Sequence, residues 1–225
     1  MTIWANLNLQ DRVTQTCIKL INFHDFITVR VRVILLLVLF EIFFIVFNKY
    51  FSRVIVLRNI VESSWLILPT IFIRLIAFPS IHLLYSIDDV IDPAITIKVV
   101  GHQWYWRYEY SDFNDREFDS YMLPVEDLQE GIFRLLEVDN RLSVPSFTNI
   151  RTLILSRDVI HSWTLPALGI KIDALPGRLN QIRINLLNYG VFYGQCSEIC
   201  GQQHRFIPIC LERISRKDFL NYVKN

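Results

Sequence analysis

The densest chemistry in the chain lies in Cys196-Ser197-Glu198-Ile199-Cys200-Gly201-Gln202-Gln203-His204. Its Cys-x3-Cys-x3-His spacing brings two thiolates and an imidazole within reach of one point, and His161 lies upstream in VIHSW, at the end of an apparent strand. Two sulfur and two nitrogen donors suit zinc or copper, both of which accept thiolate and imidazole. Structural zinc usually adds a second close pair of ligands, which a lone upstream histidine does not supply. Spacing alone leaves copper level with zinc, with a disulfide between the two cysteines as the bland alternative. Cys17 and Cys210 have no assigned role, and Cys210, beside a strand-like IPI, reads as a small buried hydrophobe.

These residues need a rigid support, and the composition shows what kind. The chain has 225 residues and is 52% hydrophobic and 20% charged, with a mean hydropathy of +0.31. That is too apolar for an ordinary soluble domain and too charged for a pure membrane bundle. The net charge of +1 offers no basic stripe for a phosphate backbone, which argues against nucleic acid as a partner. The 13% aromatic content and scarce Gly and Pro exclude intrinsic disorder. The N-terminus shows no removable targeting segment.

Two apolar stretches, 27–47 and 65–85, are each long enough to cross a hydrocarbon core as a helix. The expected organisation is an N-terminal segment over 1–26, a two-helix transmembrane hairpin over 27–87 with helices at about 27–48 and 63–87, and an all-β domain over 88–225. Arg30 and Arg32 can snorkel. Glu41 and Arg74 fall inside the spans, where exposure to lipid costs roughly 2.5–3.5 kcal/mol each, so they are expected to face each other or a shared polar site. Lys49, Arg53 and Arg58 place the connecting loop on the positive-inside face and both termini opposite it.

After Pro93 the text changes to short alternating runs: ITIKVV, WYWRYEY, FRLLEV, RTLIL, QIRINLL, VFYG and IPICLE. These predict an all-β sandwich or barrel. From 109 to 139 ten acids (Glu109, Asp112, Asp115, Glu117, Asp119, Glu126, Asp127, Glu130, Glu137, Asp139) face only Arg116 and Arg134. Such a surface could steer a basic partner, or be simply a solvated face.

The pairing of CSEIC-x3-H and His161 with GHQWYWRYEY (101–110), EFDSYM (117–122), LLEVDNR (135–141), DALPGRLNQ (173–181) and two spans closely resembles subunit II of mitochondrial cytochrome c oxidases. The resemblance runs over most of the chain. It implies a cupredoxin-like barrel in the intermembrane space, anchored in the mitochondrial inner membrane and holding a dinuclear copper centre (CuA). Cys196 and Cys200 would bridge both ions, His161 and His204 would each bind one, and the Glu198 carbonyl would complete one. The Glu198 carboxylate would reach a magnesium ion shared with the catalytic subunit. Trp104 matches an electron-input tryptophan facing cytochrome c. Glu109, Asp115, Tyr121, Asp139 and Asp158 match its dock, where Arg157 stands at a position usually acidic. Glu62 matches a glutamate near a proton-uptake path, or is a helix-start acid.

Other readings are a membrane-anchored copper chaperone, against which the strand-rich text and absent amphipathic helices count, and a structural oxidase subunit without functional copper. One departure stands out. The family places a methionine thioether three residues after the second histidine, where this chain has Ile207. The chain has 2 Met against 30 Ile. Many animal mitochondria read ATA as methionine where the standard code reads isoleucine, so either Ile207 is a true replacement or it is first among the positions expected to hold Met in the native protein.

Overall fold

The computed structural model describes residues 9–50, 58–89, 92–113 and 116–224. Asp115 and Arg53 lie outside them. The chain divides into two compact units, Lys19–Tyr85 and a β-rich unit of Ser86–Asn225 with the N-terminal residues through Ile18.

Helix α1 (Gln15–Phe47) begins well ahead of Ile27, so the boundary expected at 26/27 falls inside a helix. Thr14 starts it, accepting the Cys17 N–H at 3.0 Å through its hydroxyl oxygen. That hydroxyl also donates to the Leu168 carbonyl at 2.7 Å, and Val13 donates its N–H to Ala167. The first turn of α1 therefore belongs to the β-rich unit.

Helix α2 (Arg58–Asp88) starts with an Arg58–Glu62 pair at 2.8 Å, which fits the helix-start reading of Glu62. Among the described residues α2 is long and apolar enough to cross a membrane, its most apolar 18 residues having a mean hydropathy of 1.8. In α1, Arg30, Arg32 and Glu41 break up the apolar window. Arg30 folds back over the Phe26 ring and donates to the Phe26 carbonyl at 2.7 Å, as snorkelling requires. Glu41 and Arg74 are both exposed on their helices, and no ion pair joins them among the described residues. The expected mutual pairing is not formed, and this chain alone does not shield either charge.

Among the described residues of the β-rich unit, ten strands follow: β1 (Ile95–His102), β2 (Tyr105–Tyr110), β3 (Arg116–Ser120), β4 (Leu142–Pro145), β5 (Ile150–Ser156), β6 (His161–Leu165), β7 (Ile170–Ala174), β8 (Asn180–Ile184), β9 (Gly190–Gln195) and β10 (Pro208–Ile214). They form a five-stranded sheet in the order β3-β2-β1-β5-β8, a three-stranded sheet β4-β10-β9 and a ribbon β6-β7. Strands β1 and β5 pair parallel, as do β10 and β4. The expected all-β sandwich is present. Alternation drives it: in β2, Trp106, Tyr108 and Tyr110 are fully buried, while the residues between them are only partly covered. With Trp163 and the apolar residues of β1, β5 and β10 they form one core.

A short amphipathic helix, α3 (Arg216–Lys224), closes the chain and was not expected. Ser215 caps it, its hydroxyl oxygen accepting the Asp218 N–H at 3.2 Å and its hydroxyl donating to the Asp218 carboxylate at 2.5 Å. It buries Phe219 against Tyr110 and Phe113.

Candidate metal centre

Loops at one end of the sandwich assemble the site. His161 opens β6 and is fully buried. Cys196 follows β9, and its N–H donates to the Ile207 carbonyl at 3.0 Å, while the Ser197 N–H donates to Ser162. These bonds pin the cysteine loop to β6 and to the start of β10. Two glycines permit the approach. A Cβ on Gly194 would lie 1.8 Å from the Thr164 carbonyl oxygen, and one on Gly101 2.8 Å from His161 Cδ2. Neither glycine was visible as a site residue, because the constraint comes from a strand remote in sequence.

His161 Nδ1 lies 3.9 Å from Cys196 Sγ, and His204 Nδ1 lies 3.6 Å from Cys200 Sγ. Two donors held about 2.2 Å from a shared ion at the tetrahedral angle would be about 3.6 Å apart, so both separations fit chelation. The donor atoms of His161, Cys196 and Cys200 lie within 4.8 Å of one another. His204 lies outside that group and joins through Cys200, so the four donors spread wider than one tetrahedral ion gathers. The Glu198 carbonyl approaches Cys196 Sγ at 3.4 Å, while the Glu198 side chain is exposed. All four cysteines are free, which removes the disulfide alternative.

The two thiols ionise unequally. Burial works to raise the Cys196 thiol, but hydrogen bonding from His161 and from the surrounding backbone outweighs it and brings the pKa down to about 7. Burial and the neighbouring Cys196 thiolate push Cys200 up to about 12. The first thiolate disfavours the second, and a cation between them would favour both.

The other expected site residues fall into three groups. Trp104 is half-buried beside the cysteine loop, its Nε1 within 3.2 Å of where a Gly201 Cβ would sit. Tyr105 stacks on Tyr121, which is exposed, at 4.5 Å, whereas Trp106 belongs wholly to the core. The acidic surface is less free than its count implied. Glu109 pairs with Lys98 at 2.8 Å and Asp119 with Arg107 at 2.6 Å. The Asp139 carboxylate accepts the N–H groups of Tyr121 and Asn140, and both Asp158 oxygens accept hydrogen bonds from the fold. Cross-strand register sets these pairings, and a count of charges does not show them. Ile207 is fully buried in the core next to the cysteine loop, with no donor atom.

Comparison with known proteins agrees with this picture. Residues 95–214 match the family model for the cytochrome c oxidase subunit II periplasmic domain, and residues 2–83 match that for its transmembrane domain. The chain is 48% identical over 223 residues to a cytochrome c oxidase subunit 2 of Periplaneta americana, covering 99% of this chain and 98% of that protein. It is 49% identical to the subunit 2 of Drosophila bifasciata, covering 99% and 97%. Among solved structures, the periplasmic domain of cytochrome oxidase subunit II of Bradyrhizobium japonicum is 46% identical, with a TM-score of 0.56, covering 60% of this chain and 95% of that one.

Proposed function

The chain belongs to the cytochrome c oxidase subunit II family, and on that premise we propose that it is the electron-input subunit of the oxidase, taking electrons one at a time from cytochrome c at a dinuclear copper centre. It passes them to haem in the catalytic subunit, within a complex that reduces O2 and pumps protons. The O2-reducing site is not on this chain. The observation that carries the reading is the pair of sulfur–imidazole contacts, His161 with Cys196 and His204 with Cys200, built on two buried free thiols.

A copper pair bound here would supply a one-electron carrier. Cys196, Cys200, His161 and His204 would hold the copper through Sγ and Nδ1 atoms, and the Glu198 carbonyl would add a weak oxygen donor. The chain's own work is to hold these donors still. The loop is fixed by the Cys196 and Ser197 backbone hydrogen bonds, by the Gln103 amide on the Cys200 carbonyl at 2.7 Å, and by packing on β6. Trp104, half-buried beside this loop, receives the electron, and Tyr105, the next residue, stacks on Tyr121. Remaining free carboxylates of the acidic stretch, with Glu109, Asp115 and Asp139, attract the partner. The exposed Glu198 carboxylate is free to meet magnesium, a hard cation that takes oxygen, at the catalytic subunit.

Both α1 and α2 span the mitochondrial inner membrane, with the loop between them on the matrix side and the β-rich unit in the intermembrane space. Glu41 and Arg74 then meet other oxidase subunits. Copper titration of the purified protein tests the central reading. Uptake should saturate at two ions per chain and give a purple form with one unpaired electron shared by two copper nuclei. Saturation at one ion, or zinc binding alone, overturns it.

A further inference from the structure

We propose that Asp158 is a positioning residue of the metal centre, whose carboxylate orients His161 and the segment carrying Trp104 together. Its Oδ1 accepts from His161 Nε2 at 2.9 Å and from the Val159 N–H at 2.6 Å. Its Oδ2 accepts the Gln103 N–H at 2.7 Å. The Gln103 side chain continues the chain of contacts, its Nε2 donating to the Cys200 carbonyl at 2.7 Å. One carboxylate thus connects the end of β1, the start of β6 and, through Gln103, the second cysteine.

The consequence for His161 follows from imidazole chemistry. With Nε2–H donated to the carboxylate, Nδ1, which faces Cys196 Sγ, is the nitrogen that gives up its proton to a metal ion, and the carboxylate makes it a stronger donor. The ring cannot tilt away, because Gly101 backs onto its Cδ2 edge and the Trp106 ring meets it edge-on at 5.8 Å. His204 has no carboxylate partner among the described residues, so the two imidazoles are held unequally. An acid that acts in docking works through its field and presents a free, solvated carboxylate. Asp158, with a side chain 29% exposed, has both oxygens engaged within the fold.

The inference rests on the copper reading, and Asp158→Glu in the assembled oxidase separates the two ideas. That variant keeps the charge and lengthens the reach by one methylene. A docking role predicts wild-type behaviour throughout. Positioning predicts two coppers per chain, a changed copper hyperfine pattern and visible spectrum, a shifted reduction potential, and electron input slowed by on the order of tenfold, with KM for cytochrome c and its salt dependence unchanged. Asp158→Asn supplies a second reading by removing the charge while keeping the shape. It should change the same spectrum, and an unchanged spectrum with a raised KM would return Asp158 to the docking surface. Wild-type spectra and potential in both variants overturn the inference, whereas absence of a copper pair in the wild-type protein overturns the copper reading itself.

Discussion

Two buried clusters in the β-rich unit each contain a cysteine among polar groups, and they resolve oppositely. Around Cys210, Glu137 is 3% exposed and accepts from Arg141 Nε and Nη2 at 2.9 Å each, from the Tyr193 hydroxyl at 3.0 Å, and from Cys210 Sγ at 3.6 Å. Burial and the adjacent carboxylate push the Cys210 thiol well up, so it remains protonated. Around Cys196, the neighbours are imidazoles, the thiol is drawn down to about 7, and the contacts are long. The first cluster completes its own hydrogen bonds, while the donors of the second converge without completing theirs. Burial of a cysteine therefore carries no functional meaning until its neighbours are known.

The sharpest way to break this contrast is to remove one sulfur from each cluster. Cys196→Ser or Cys200→Ser should abolish the two-copper spectrum, because serine is a hard and weakly acidic donor. Cys210→Ser should retain both coppers per chain by metal analysis. Loss of copper on changing Cys210 would mean that the clusters are one site.

A second test asks whether the Glu137 cluster is structural. Arg141→Leu leaves a carboxylate buried without its cation and should destabilise the fold by about 3–5 kcal/mol in denaturant titration. The pH dependence has a definite sign. Burial raises the Glu137 pKa, but hydrogen bonds from Arg141, Val138 and Tyr193 outweigh it, so the folded value is depressed. This stabilisation is complete above the unfolded pKa of about 4.3 and is lost as pH falls through the lower folded value. The wild-type fold should weaken in that acid window, and Arg141→Leu should lack that component. An equal acid response in both proteins would show that Glu137 does not contribute it.

How far each cluster could be read in the sequence follows from how local it is. Cys-x3-Cys-x3-His is contained in nine residues, and the alternating runs announce strands, so the candidate donors and the sandwich were both legible. The Glu137 cluster joins LLEVDNR to Tyr193 and Cys210, which face each other only through the β9–β10 register, and no spacing rule connects them. The same holds for Gly101 and Gly194. The Thr14 and Ser215 caps are different, since both are local signals and the second is a plain S-x-x-D spacing. Strong apolar and strand patterns masked these shorter polar cues.

The smallest expected effect concerns a single axial position and carries the question of which residues the native protein contains. Ile207 begins the inward row of β10 and its approach: Ile207, Ile209, Leu211, Arg213. The row opens with an apolar side chain where the family has a metal donor, and ends with a guanidinium 3% exposed whose Nε, Nη1 and Nη2 find no acceptor. Phe147 and Tyr189 cap it at 4.4 and 4.3 Å, which does not replace the missing hydrogen bonds of a buried cation. Mitochondrial codes that read ATA as methionine often read AGA and AGG as serine. One recoding therefore accounts for both anomalies, with methionine in place of Ile207 and serine in place of Arg213. Peptide mass spectrometry of the native protein should find position 207 heavier by about 18 Da, the difference between methionine and isoleucine, and position 213 lighter by about 69 Da, an arginine replaced by a serine that buries no charge. If both residues are confirmed as isoleucine and arginine, the expectation changes in a measurable way. The thiolates and imidazoles still hold both coppers, the lost thioether raises the reduction potential of the site, and Arg213→Ser raises the stability of the fold by removing an unpaired buried cation.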